Sequence, residues 1–183
     1  MVRAILEGRK TQTRRVVKPR KGQELDPSGI YEHTPGDLLP CPYGAVGDRL
    51  WVRESWAMPH GFDLADSSLN VMREKGKRPM YRATDNRNSY MWRSPLFMPR
   101  WASRLILGIT EVRVERVQDI GLDGYDKEGT YAIFDSTCDA NDLRANRGAF
   151  MDVWDSIYKN CCFRWEANPW VWVITFKVVT DEI

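Results

Sequence analysis

Hydrophobic and polar positions change period several times along the chain, and each change predicts an element. Val2 to Glu7 followed by Gly8 reads as the last turns of a helix closed by a glycine cap, the residue that takes the left-handed cap conformation without strain. Thr11 to Val17 is rich in β-branched residues and predicts a strand that Pro19 stops. A Gly-Asp turn at Gly47-Asp48 feeds a second strand, with Leu50 and Val52 on one face against Trp51 and Arg53 on the other, and Glu54 and Trp56 extend beyond it. Met80 to Ala83 predicts a short strand. Trp101 to Val117 carries the longest β pattern, apolar on both faces around Leu105 to Ile109 and alternating from Val112 onward. Asp119 to Gly129 predicts a short helix ended by Gly129. Ala149 to Lys159 predicts a longer one, with Phe150, Val153, Trp154 and Ile157 at helical spacing. After Asn168-Pro169, the run Trp170 to Phe176 predicts a terminal strand.

Between these elements lie two stretches rich in polar residues, glycine and proline, predicted as loop-rich insertions at 20–45 and 57–98, the second with a short helix around Ser68 to Glu74. Several short strands and few helices predict an α+β, mainly β fold: a small β-barrel whose ends short helices close. At 183 residues this is one domain, 1–183, carrying both insertions.

Composition adds two things. Eight Trp exceed what so small a core needs, so some are expected to line a surface or cleft. The longest apolar run, Trp170 to Ile174, is far short of the roughly 20 residues a membrane span requires. With no signal-peptide pattern at the start, a cytoplasmic protein without a membrane partner is expected. Cys41, Cys138, Cys161 and Cys162 form no C-x-x-C pair and stand apart from His33 and His60, so neither a metal site nor a cofactor is expected.

Charge is placed unevenly. Residues 1–22 hold eight Lys or Arg against Glu7 alone, a local charge of +7 in a chain whose net charge is only +2. Met80 to Arg104 holds five Arg against Asp85, interleaved with Tyr81, Tyr90, Trp92, Phe97 and Trp101. Cations that contact phosphate and rings that stack on bases are the pairing used by single-stranded nucleic-acid binders. The plain alternative is aromatic core with a solvated arginine rim.

The runs A-I-L-E-G-R-K-T-Q-T-R-R and G-D-R-L-W-V-R-E-S-W, an E-G pair after the long strand, and N-P-W-V-W-V-I-T-F follow in that order from residue 4 to residue 176. Together they resemble an ASCH domain, especially its bacteriophage and prophage branch. The resemblance implies a PUA-like β-barrel, a fold group associated with RNA binding and nucleoside recognition. One branch of the family comprises amidohydrolases that deacetylate 4-acetylcytidine, and its catalytic roles would fall on Lys10, Thr13 and Glu128. ASCH domains usually have a strand before the first helix, and Met1 already lies in that helix. The bare sheet edge this leaves is a possible homodimer contact.

The residues support such chemistry in part. Arg9, Arg14 and Arg15 surround Lys10 and favour its neutral amine, which could activate the Thr13 hydroxyl, while Glu128 shuttles protons or orients the lysine. In a regular strand, however, Lys10, Gln12 and Arg14 share one face and Thr13 and Arg15 the other. Lys10 meets Thr13 only if it belongs to the cap turn or a bulge intervenes. The leading expectation is therefore a cleft for nucleic acid, RNA favoured, or for a modified nucleoside. Lys10, Thr13, Arg14, Arg15 and Glu128 would surround it, Arg9 would lie beside it, and Arg53, Arg100 and Trp101 would stand near its rim. Deacylation of a modified cytidine is the alternative, and a protein-interaction module without nucleic-acid affinity is the third.

Overall fold

A computed structural model of the chain describes residues 1–18, 40–58, 78–85, 87, 90–130 and 143–179. The short helix expected around Ser68 to Glu74 lies outside them, as do His33, His60 and Cys138. The fold is α+β, with a curled antiparallel half-barrel sheet and few short helices. Its elements are α1 (Val2–Leu6), β1 (Gln12–Val16), β2 (Arg49–Trp51), β3 (Trp56–Ala57), β4 (Met80–Tyr81), β5 (Ile106–Arg116), α2 (Leu122–Lys127), α3 (Leu143–Tyr158) and β6 (Trp170–Val179). The larger sheet has the order β1-β6-β5-β2, and β3 and β4 form a separate pair. The chain divides into two compact units, one built mainly from Arg3–Arg49 and Gly108–Lys177, the other mainly from Leu50–Leu107.

In the first unit, β1 and β6 pair antiparallel from Gln12 opposite Thr175 to Val16 opposite Val171. The strand near the start of the chain thus depends on the one near its end. Val16, Val171 and Val173 point into a core completed by Val117, Ile120, Tyr125, Phe150, Trp154 and Trp165. Rings dominate this core. Phe150 stacks on Trp154 at 5.9 Å and meets Tyr125 and Trp165 edge-on at 5.7 and 5.9 Å. Edge-to-face and offset pairs of this kind suit the charge distribution of aromatic rings. The Trp154 indole is satisfied by the Phe163 carbonyl at 2.9 Å, so its N–H is buried without loss.

The second unit has a smaller core of Trp56, Met98 and Ala102. Beside it Arg104 grips the buried Glu54 with two parallel bonds, Nε to Oε1 at 2.8 Å and Nη2 to Oε2 at 2.9 Å. The same guanidinium lies 4.1 Å from the centre of the Tyr81 ring, and the Tyr81 hydroxyl donates to the Ala102 carbonyl at 2.8 Å. Fork-to-fork geometry and a ring face together offset the cost of burying the carboxylate.

Several predicted boundaries move. The longest strand starts at Ile106 rather than Trp101, because Pro99 leads Arg100–Ala102 into a 3-10 turn first. The second strand stops at Trp51, and the last runs on to Val179. The helix expected from Ala149 begins at Leu143; its first six residues include Arg144, Asn146, Arg147 and Gly148 and so lack the apolar spacing that marked the rest. Of its apolar stripe, Phe150 and Trp154 are buried but Ile157 is 51% exposed.

Candidate functional site

The elements of the first unit enclose a cavity of about 190 Å³. Residues of α1, β1, the end of α2 and α3 line it, and the route from Gly8 to Arg15 decides its floor. Gly8 takes φ +72 and turns the chain out of α1, as its sequence position predicts. The Lys10 N–H then bonds the Ala4 carbonyl at 2.9 Å and Thr11 N–H bonds the Lys127 carbonyl at 2.9 Å. Lys10 is thereby held between the helix cap and the end of α2, just before β1 begins.

Its side chain is 6% exposed and that of Glu128 7%, and the two meet at 2.7 Å, Nζ to Oε2. Lys10 Nζ also donates to the Gln12 carbonyl at 2.8 Å and the Glu128 carbonyl at 2.9 Å. Three acceptors match the three protons of an ammonium. The other Glu128 oxygen, Oε1, accepts from Arg14 Nη1 at 3.0 Å, and Arg14 reaches on to Glu115 Oε1 through Nη2 at 2.7 Å and Nε at 3.0 Å. The floor is a chain of alternating charge, Lys10, Glu128, Arg14, Glu115. Burial pulls the Lys10 amine below its ordinary range, Glu128 pushes it back up by charge and hydrogen bond, and Arg15 and Arg14 lower it further.

Gly129 permits this contact. It lies at φ +70, and a β-carbon there would stand 2.9 Å from Lys10 Cβ and 3.1 Å from Ala4 Cβ. The Glu-Gly pair supplies the carboxylate and, in the next residue, the room for the lysine to reach it.

The strand faces separate as alternation predicts, and the division has chemical content. Gln12, Arg14 and Val16 are buried, whereas Thr13 and Arg15 are half-buried. Thr13 and Arg15 line the same cavity as Lys10 and Glu128. Among the described residues the Thr13 hydroxyl makes no hydrogen bond, and Arg15 Nη1 bonds only the Arg14 carbonyl, at 3.2 Å. From α3 the lining takes the buried rings of Phe150 and Trp154 together with half-buried Val153 and Tyr158 and exposed Ile157.

Of the nine residues expected at the site, Arg9, Lys10, Thr13, Arg14, Arg15 and Glu128 line this cavity. Arg9 is exposed and paired with Glu7. Arg53, Arg100 and Trp101 belong to the second unit and are not among the lining residues. There Arg53 lies 4.8 Å from the Trp51 ring centre, Arg100 is exposed, and Trp101 sits edge-on to Trp56 at 6.2 Å. Exposed Leu96 and Phe97 lie in the same segment.

Sequence reasoning missed Glu115, Gln12 and Tyr158. Tyr158 stands four residues after Trp154 and so extends the helical stripe by one step, a usable signal. Glu115 looked like a solvent position on an alternating strand, and nothing local marked it as the partner of Arg14. The described residues contain no group of three or more His, Cys, Asp or Glu able to hold a metal ion, and no helix among them is long and apolar enough to cross a membrane. No family model, curated protein or solved structure matches the chain.

Proposed function

We propose that the chain is a PUA-like domain of the ASCH kind that binds nucleic acid, RNA in preference, or a nucleoside, with the cavity of the first unit receiving the base. One observation carries the reading: a single cavity of about 190 Å³ is lined both by rings, Phe150, Trp154 and Tyr158, and by the polar and cationic side chains of Lys10, Thr13, Arg14 and Arg15. A nucleobase presents an apolar face and a hydrogen-bonding edge, and such an enclosure meets both. The volume lies below the ~300–1,000 Å³ of sites for larger small molecules, which favours one base over a longer stretch of strand. Single-stranded RNA is expected to bind with an affinity that falls steeply as salt rises and falls again on Lys10→Ala or Arg15→Ala. Fluorescence anisotropy across a salt series reads this, and an affinity indifferent to salt and to both substitutions rejects the proposal.

A second reading, deacylation of a modified cytidine, is favoured by the 2.7 Å contact of Lys10 with Glu128 in a cavity that Thr13 also lines. Binding ranks above it because all three Lys10 donors are committed, which leaves no nitrogen lone pair to take the threonine proton. Acetate release from 4-acetylcytidine that Lys10→Ala abolishes would reverse that ranking.

A further inference from the structure

Taking the base-binding reading as its footing, we infer that Thr13 and Arg15 form an anion subsite at the cavity, so that the ligand enters with a phosphate rather than as a neutral nucleoside. The two faces of β1 carry the inference. On one face every charge is spent: Lys10 and Arg14 hold Glu128 between them, and Arg14 also holds Glu115. On the other face the described residues leave most donors uncommitted. Thr13 keeps a hydroxyl without a partner among the described residues, and Arg15 keeps most of its guanidinium fork, since only Nη1 bonds, and only to a backbone carbonyl.

These two residues are separated by one position on a strand, about 6.7 Å between α-carbons, a span that one tetrahedral anion can bridge between a hydroxyl and a guanidinium. Both line the cavity, where the acids have already been neutralised. Of the lining cations, Arg9 is paired with Glu7, Lys10 with Glu128, and Arg14 with both Glu128 and Glu115, whereas no described carboxylate pairs with Arg15. An anion at Thr13 and Arg15 therefore meets the uncompensated charge of Arg15, and among the described lining residues the one carboxylate, Glu128, is already neutralised.

The aromatic wall reaches this side as well. Tyr158 lines the cavity, and Tyr43 lies within electrostatic reach of both: burial raises its phenol pKa, Arg15 lowers it and Tyr158 raises it. A stacked base with its phosphate over Arg15 uses the ring wall and the spare cation together. This assigns Lys10 and Arg14 to building the floor and Arg15 to recognition, although the two arginines are neighbours in sequence.

The test compares cytidine, cytidine 5′-monophosphate, cytidylyl-cytidine (whose one phosphate is an internal diester) and inorganic phosphate, by calorimetry and by NMR of the Arg15 Nε–H. On the unaltered protein the monophosphate is expected to bind about tenfold or more tightly than cytidine, the increment of one charge-assisted contact. Arg15→Gln brings that ratio to within about twofold of one, and Arg15→Lys retains part of it. The same increment in the dinucleotide assigns the phosphate to a strand; its restriction to the monophosphate assigns it to a free nucleotide. Equal affinity for cytidine and its monophosphate, or a ratio that survives Arg15→Gln, overturns the subsite while leaving base binding intact. If no cytidine compound binds but inorganic phosphate still shifts Arg15, the subsite stands and the base-binding reading falls.

Discussion

Lys10 and Arg15 are both cations of one short basic run, and their surroundings give them opposite work. Lys10 is buried, triply bonded and held below its ordinary pKa by desolvation, whereas Arg15 remains half-exposed with donors to spare. Two predictions follow from the lysine. Glu128→Gln removes the charge that Lys10 and Arg14 share and is expected to cost about 3 kcal/mol or more in urea unfolding, because buried cations lose their counter-charge. It should also lower the Lys10 pKa further, since the Glu128 charge is the main force raising it. The second prediction concerns pH. A basic group whose folded pKa lies below its unfolded value burdens the fold when charged, and the unfolded chain then holds the proton more tightly. Between the lowered folded pKa and the ordinary value near 10.5, Lys10 therefore contributes stability that rises with pH. Urea unfolding at a series of pH values should show this upward contribution in the unaltered protein and its loss in Lys10→Met. The sequence showed the basic run and the Lys10, Glu128 pairing through a family resemblance. It could not show which of the arginines was spent, because Glu115 and Glu128 lie 101 and 114 residues from Arg14.

Elements were more legible than their boundaries. Richness in β-branched residues located β1, an apolar run passing into alternation located β5, the apolar run after Asn168-Pro169 located β6, and the Phe150, Val153, Trp154, Ile157 stripe located α3. The first turns of α3 carry polar residues and left no such stripe. The start of β5 was misplaced because Trp101 and Leu105 look strand-like, while Pro99 imposes a turn that propensity alone underweights. Turn glycines were legible too, and two of them allow a controlled comparison. Gly8 and Gly129 share nearly the same backbone, φ +72 and +70, but a β-carbon at Gly8 meets nothing within 4 Å, while one at Gly129 meets Lys10 and Ala4. Gly8→Ala is expected to cost about 1 kcal/mol, the left-handed penalty alone. Gly129→Ala should cost at least about 1 kcal/mol more and displace Lys10 from Glu128, read by thermal unfolding and by the Lys10 titration. Equal costs at the two sites would mean that the crowding around Lys10 is relieved without penalty.

At the scale of the whole molecule, the α+β class with few short helices was readable; a small barrel was expected where the larger sheet is a curled half-barrel, and no local pattern marked the two compact units. Local periodicity reports which face of an element is buried but not which group of elements buries it. The pairing of β1 with β6 carries a further consequence, for the time course of folding. Gln12 must find Thr175, 163 residues away in sequence, and the buried cations Lys10 and Arg14 wait on partners more than a hundred residues downstream. Closing such long loops precedes the contacts that reward it, so folding belongs to the slow regime of milliseconds to seconds typical of non-local β topologies. During synthesis β1 leaves the ribosome long before its partner, with Lys10, Arg14 and Arg15 fully hydrated. The cavity acquires its floor only once residues 115 to 128 have emerged, and its framework is complete only with the last strand.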